Sequence, residues 1–102
     1  MVWVKFKMDV IDTETVLVCI LTTKSLVTVQ DLNQYREDIE KKCNEDLYLD
    51  VTNSGIIGAI KSRPDLFEST PFSTIIRRGS EWYDNVKENF LFRIPSKYRY
   101  LF

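Results

Sequence analysis

The sequence predicts a small α+β domain, and three observations predict that class. Residues 2–10 alternate apolar and polar side chains, a period of two that is typical of a half-buried strand. Residues 28–43 combine an N-terminal capping signal with an apolar stripe at helical spacing. Residues 73–78 and 90–94 are rich in β-branched and aromatic side chains, which favour strands. The predicted order is β-β-α-(β)-α-β-β: an N-terminal hairpin, two central helices and a C-terminal hairpin, forming a small antiparallel sheet with the helices packed on one face.

Two consecutive segments predict the N-terminal hairpin. In the first, the apolar residues at even positions from Val2 to Val10 fall on one face, and Trp3 falls on the other. Asp12-Thr13-Glu14 makes a polar break, after which residues 15–22 form a nearly continuous β-branched, apolar run. Such a run is typical of a central strand. We therefore expect residues 15–22 to pair with residues 2–10.

The first central helix begins at a capping signal. Thr28 and Asp31 have the spacing of a capping box, and Val27 and Leu32 stand where a hydrophobic staple would pack. The residues that follow place one apolar stripe toward a core, because their spacing matches the helical repeat. That stripe consists of Leu32, Tyr35, Ile39 and Cys43.

The remaining elements are shorter. Residues 47–51 suggest a brief strand, and a second helix is predicted over residues 53–63, capped by Thr52 or Asn53 and ended before Pro64. Residues 73–78 and 90–94 are predicted to form the C-terminal hairpin, with Phe90, Phe92 and Ile94 on a shared face. Residues 98–102 would add a last short strand.

Length and composition bound the function. A chain of 102 residues fits one domain, predicted to span residues 1–102. Histidine is absent, which removes imidazole bases and His-ligated zinc, and the two cysteines are too few for a four-thiolate site. No phosphate-binding glycine loop or nucleophile elbow occurs either. We therefore expect no enzymatic activity, no cofactor and no metal.

The expected location is the cytoplasm. The first residues alternate rather than forming a signal peptide, and the longest apolar run is far shorter than the roughly 20 residues that cross a bilayer. Cys19 and Cys43 both lie in apolar patterns, as small buried residues do in a reducing compartment. Neither a membrane nor a disulfide is expected.

The leading functional hypothesis is a protein-binding module. Trp82 and Tyr83 lie in a polar stretch where no core pattern requires them, and Arg77 and Arg78 precede them. Trp, Tyr and Arg dominate protein–protein hot spots, so Trp82 is predicted to anchor a partner while the arginines orient it. Trp82 could equally fold over the core. An exposed Trp3 on an edge strand would also permit homodimerisation, which leaves monomer and homodimer both open.

The competing hypothesis is nucleic-acid binding. The order of elements over residues 28–94 resembles that of a winged helix, which implies a recognition helix at residues 53–63 and a basic hairpin on the phosphates. A second feature, Gly55-Ile56-Ile57-Gly58, has the spacing of the KH-domain loop, but two isoleucines suit a closely packed helix better. The acidic total weakens this hypothesis, although residues 51–102 carry eight basic and five acidic side chains. Its predicted contacts are Lys61, Arg63, Arg77, Arg78 and Lys87.

Overall fold

A computed structural model describes residues 8–79, 81 and 84–102 of the chain. The α+β class is confirmed, with a small antiparallel sheet and helices packed around it. In order, the elements are β1 (Met8–Val10), α1 (Thr13–Leu21), β2 (Leu26–Thr28), α2 (Val29–Cys43), β3 (Asp46–Tyr48), α3 (Asn53–Ser62), β4 (Phe67–Ser69), β5 (Thr74–Arg77), α4 (Asp84–Leu91) and a C-terminal 3-10 helix (Ser96–Leu101).

The strands form two separate sheets. β2, β5 and β4 make a three-stranded antiparallel sheet with β5 in the centre, where Val27 pairs with Ile75 and Phe67 pairs with Arg77. β1 and β3 pair in parallel, with Asp9 opposite Leu47. The predicted antiparallel sheet is therefore present, but its hairpin is β4–β5 rather than residues 73–78 with 90–94.

Of residues 15–22, predicted as a strand, residues 15–21 belong to helix α1 and Thr22 is its C-cap, so the predicted N-terminal hairpin is wrong. Asp12 caps this helix, since its carboxylate accepts hydrogen bonds from the Thr15 amide at 2.8 Å and the Thr15 hydroxyl at 2.7 Å. Nearly every residue of α1 is buried, because α3, α4 and β2 surround it. A helix buried on all sides has no polar stripe, and its short apolar run cannot be told from a central strand by periodicity.

The prediction for the first central helix is confirmed. The Thr28 hydroxyl accepts from the Asp31 amide and the Asp31 carboxylate accepts from the Thr28 amide, both at 3.1 Å, which completes the capping box. Val27 and Leu32, predicted as a hydrophobic staple, are both fully buried. Burial of one face and satisfaction of the first free amides together fix where α2 begins.

The second central helix is also confirmed, as α3. The Thr52 hydroxyl caps it by accepting from the Gly55 amide at 3.2 Å. Gly55 faces the Asp50 side chain so closely that a Cβ built on it would lie 2.2 Å from the Asp50 Cγ. Gly55 and Gly58 are both helical, so the KH-like loop is not formed. Gly55 packs closely, as the alternative predicts, whereas a Cβ at Gly58 would have no neighbour within 4 Å.

Beyond β5 the predicted strands are helical. Residues 90–94 contain the end of α4 and the turn after it, and residues 98–102 contain most of the 3-10 helix. Phe90 and Ile94 are buried, whereas Phe92 between them is 76% exposed. The burial follows a spacing of four rather than two, which is why the predicted strand face is wrong.

β1 turns the opposite face inward from the one predicted. Met8 and Val10 are exposed, while Asp9 is partly buried and faces the C-terminal 3-10 helix. Trp3 and residues 2–7 lie outside the described residues. In the described part of the chain, no helix is both long and apolar enough to cross a membrane.

Candidate functional site

The C-terminal 3-10 helix is fastened to the domain by Tyr98. This side chain is fully buried, and its hydroxyl donates to the Asp9 carboxylate at 2.5 Å and lies 3.2 Å from a Glu45 oxygen. Burial, and then the hydrogen bond to Asp9, raises the pKa of the Tyr98 hydroxyl well above its usual range. The phenol therefore stays protonated and remains a hydrogen-bond donor.

Lys97 reinforces the same attachment from the surface. Its ammonium group pairs with the Asp9 carboxylate at 2.6 Å and also with Glu45. The hydrogen bonds to Asp9 and Glu45 raise the pKa of Lys97, and the hydrogen bond from Lys97 lowers the pKa of Glu45. These groups tie β1, the turn after α2 and the 3-10 helix together.

The last residues of the 3-10 helix lie against α2. The Tyr35 hydroxyl donates to the carbonyl of Leu101, and the Tyr35 ring lies 4.9 Å from the Phe102 ring between centroids. Burial raises the pKa of Tyr35 to about 12. The Lys87 ammonium donates to the carbonyl of Phe102, so α2 and α4 both hold this segment. Its outward side chains are therefore displayed on a fixed backbone.

Two aromatic side chains near this end of the chain are exposed, Phe92 in the turn after α4 and Tyr100 in the 3-10 helix. Phe92 is 76% exposed and Tyr100 is 64% exposed. The Arg99 guanidinium lies 5.6 Å from the Phe92 ring centroid, and the Lys42 ammonium lies 5.7 Å from that of Tyr100. We call Phe92, Arg99, Tyr100 and Lys42 the aromatic–basic surface. Among the described residues, neither Lys42 nor Arg99 forms an ion pair with a carboxylate.

A groove of about 490 Å³ runs beside this surface. Ile39 and Leu101 supply apolar walls, and Lys41 and Lys42 stand at its rim with Asp38. Its volume lies within the range of sites that enclose a ligand side chain. An apolar side chain seated here would bring its neighbours to the two lysines.

The residues predicted to bind a partner are only partly described. Trp82 and Tyr83 lie outside the described residues. Arg77 points its guanidinium at the Leu21 carbonyl, 3.5 Å away, and the Arg78 guanidinium donates to the Pro64 carbonyl at 3.0 Å. Both arginines thus contact backbone of their own domain, at the end of β5.

The residues predicted to bind nucleic acid do not form one uniform surface. Arg63 forms an ion pair with Asp65 at 2.8 Å. The hydrogen bond between the two side chains raises the pKa of Arg63 and lowers the pKa of Asp65. The Arg78 guanidinium contacts the carbonyl of Pro64, the residue after Arg63. Lys87 contacts Phe102 instead. Lys61 is exposed in the last turn of α3. The structure brings Arg63 and Arg78 to one turn and leaves Arg77 and Lys87 with other neighbours.

A polar groove of about 490 Å³ lies at the carboxyl ends of β1 and β3, and several of the polar side chains that line it bond to one another. Glu14 accepts from the Ser62 hydroxyl at 2.9 Å and pairs with Arg93 at 3.4 Å. The Thr13 hydroxyl donates to the Asp50 carbonyl at 2.7 Å. These bonds join the start of α1 to the loop before α3, to the last residue of α3 and to the turn after α4, which is a structural role.

The cysteines and acidic groups offer little reactive chemistry. Cys19 and Cys43 are free thiols, and burial raises the pKa of Cys19 to about 11, so its thiol is protonated at neutral pH. No group of three His, Cys, Asp or Glu side chains in the described part of the chain could hold a metal ion.

The sequence did not show which aromatic side chains of the C-terminal third are exposed. Phe92, Arg99 and Tyr100 belong to an interleaving of aromatic and basic residues over the C-terminal third, which alternation predicts to point its aromatics inward. Phe90 and Tyr98 do point inward, whereas Phe92 and Tyr100 do not.

Comparison with known proteins assigns this chain to no family. No protein-family model, curated protein or solved structure matches it. Function is therefore argued from the contacts of the described residues.

Proposed function

We propose that this chain is a non-catalytic, cytoplasmic binding module that docks an acidic segment of a protein partner on the aromatic–basic surface. The observation that carries the proposal is the exposure of Phe92 and Tyr100, each beside a cation, on a backbone held by buried contacts. Large aromatics that are displayed rigidly lose little entropy on binding, which is why they dominate hot spots.

Charge favours an acidic partner. Lys42 and Arg99 have no carboxylate partner within the described residues, so a partner's Asp or Glu would neutralise them on binding. The groove beside Lys42 has apolar walls, so the partner segment would combine acidic with aliphatic residues. The free thiols Cys19 and Cys43 support a reducing compartment.

A protein partner fits this surface better than nucleic acid. The apolar walls of the adjoining groove suit an aliphatic side chain, which a protein partner carries and a nucleic acid lacks. Cations also lie over Phe92 and Tyr100, which limits the ring faces that could stack on bases. Trp82 and Tyr83 remain predicted partner contacts, because α4 alone separates them from Phe92 in the sequence.

The test is an amide-resolved NMR titration with defined probes. One probe is a peptide of about 15 residues that alternates Glu and Leu, a second replaces Glu with Lys, and a third is single-stranded DNA, each at low salt and at about 150 mM salt. The Glu–Leu peptide is expected to shift the amides around Phe92, Tyr100 and Lys42. Phe92→Ala and Tyr100→Ala should each weaken its binding by about tenfold or more.

The matched control is Phe72→Ala, which removes an aromatic side chain that is more exposed than either, from the turn between β4 and β5, and should leave peptide binding unchanged. Equal binding of the Lys–Leu peptide would contradict the proposal. So would DNA-induced shifts at Lys61, Arg63, Arg77, Arg78 and Lys87 that weaken steeply with salt, because that pattern belongs to the nucleic-acid alternative. Trp82→Ala tests separately whether this predicted anchor shares the interface.

A further inference from the structure

The turn between β4 and β5 displays a single large apolar side chain. The Thr70 amide donates to the Thr74 carbonyl at 2.8 Å, which closes a turn whose three central residues are Pro71, Phe72 and Ser73. Ser73 has a positive φ of 57°, as the last residue of such turns commonly does. Phe72 stands at the apex and is 86% exposed.

An open apolar groove lies directly beside that turn. It has a volume of about 260 Å³ and separates α3 from the hairpin. Ile57 and Ile60 line one side, and Pro71 and Ile75 line the other. Cavities of about 150 Å³ accept benzene, so this groove is large enough for an aromatic ring. Ile57 is itself 49% exposed at its mouth.

Within one chain, the Phe72 ring does not pack into this groove. The high exposure of Phe72 shows that the ring does not fill the groove beside it. A two-fold symmetric interface would fill the groove and cover the ring, because the same patch of both copies takes part and each Phe72 ring faces the other copy's groove. One surface then supplies both halves of the contact.

The chemistry of the groove also suits a second copy. The described residues that line it carry apolar, hydroxyl and amide side chains, and none of these residues is charged. Side chains next to a two-fold axis meet their own copies, so a patch of one charge placed on the axis would repel itself. The aromatic–basic surface, with Lys42 and Arg99, would meet that repulsion, whereas the groove beside Phe72 would not.

We propose that two copies of this chain associate through this face, each inserting Phe72 into the groove between α3 and the β4–β5 hairpin of the other. This proposal is independent of partner binding at the aromatic–basic surface. Sedimentation equilibrium from about 1 µM to about 1 mM is expected to show a monomer–dimer equilibrium for the full chain of 12.1 kDa. The equilibrium should change little between about 50 mM and about 500 mM salt, since the contact is uncharged.

Two single variants and their mixture form the decisive experiment. Phe72→Ala removes the inserted ring but keeps the groove, and Ile57→Lys blocks the groove but keeps the ring. Each variant alone is expected to dimerise about 100-fold more weakly, because both symmetric contacts are lost. Mixing them restores one complete contact, so heterodimers should form more strongly than either homodimer.

The control variant is Tyr48→Ala, which removes an exposed aromatic side chain from β3, in the other sheet, and should dimerise as the unaltered chain does. Circular dichroism checks that every variant is folded, and both altered side chains are exposed enough to expect this. An unaltered chain that stays monomeric at about 1 mM would overturn the proposal. Dimerisation of Phe72→Ala at the original strength, or failure of the mixture to associate, would overturn it as well.

Discussion

Gly55 and Gly58 lie in one helix, and the structure predicts opposite effects when each becomes alanine. A Cβ at Gly58 would have no neighbour within 4 Å, so Gly58→Ala should gain the full helix propensity difference of about 1 kcal/mol. A Cβ at Gly55 would lie 2.2 Å from the Asp50 Cγ. One of these two atoms must move.

The cost at Gly55 follows from the bonds of Asp50. Its carboxylate accepts from the Thr52 amide at 3.2 Å and from the Thr52 hydroxyl at 2.5 Å, and moving it breaks both. Each hydrogen bond contributes about 1 kcal/mol, and an off-rotamer side chain costs about another 1 kcal/mol. After the propensity gain is subtracted, Gly55→Ala should destabilise the domain by about 1–2 kcal/mol.

Urea unfolding and thermal melts measure the difference. For a domain of this size, 1 kcal/mol corresponds to a melting-temperature change of about 4–8 °C, upward for Gly58→Ala and downward for Gly55→Ala. In an Asp50→Ala background the steric conflict is gone, so Gly55→Ala should there become neutral or stabilising. Equal stabilisation by both alanines in the unaltered background would refute the reasoning.

Three further predictions concern titratable groups. The hydrogen bond from the Thr28 amide lowers the pKa of Asp31 in the folded state. The Asp31 carboxylate should therefore stabilise the fold fully above the unfolded carboxyl pKa of about 3.9, and this stabilisation should be lost as the pH falls through the folded value. Asp31→Asn should make the unfolding free energy less dependent on pH over that range. Because burial raises its pKa to about 11, Cys19 should resist iodoacetamide until the protein unfolds, and equal labelling of Cys19 and Cys43 in the native protein would contradict its burial. Tyr98→Phe should lower the unfolding free energy by about 1–3 kcal/mol, since it removes the hydroxyl bonded to Asp9, and an unchanged urea midpoint would show that this bond contributes nothing.

The elements predicted correctly are those whose signals are local. The capping box of Thr28 and Asp31 and the cap before α3 involve residues three positions apart, so the sequence displays them directly. α1 was mispredicted because its surroundings, not its own pattern, decide its state. Its cap at Asp12 was visible in the sequence, in the segment interpreted as a polar break.

The candidate site was harder to predict because tertiary contacts decide which aromatics point outward. Tyr98 and Tyr100 are chemically alike and two positions apart, yet one is fully buried and the other is 64% exposed. The two tyrosines differ in their partners, because Asp9, far away in sequence, accepts a hydrogen bond from the Tyr98 hydroxyl. Phe72 carried a local signal, since it follows Pro71 in a turn, but a turn does not show which groove lies beside it.

The hydrogen bond between Asp9 and Tyr98 joins positions 89 residues apart, with consequences for how the chain acquires its structure. Closing so long a loop is entropically costly, so this contact should form late, after the local helices α2 and α3. During synthesis, β1 emerges from the ribosome long before its last partner and must wait for it. A chain shortened to end at Pro95 would lose that partner, and its exposed β1–β3 pair would then be open to other chains.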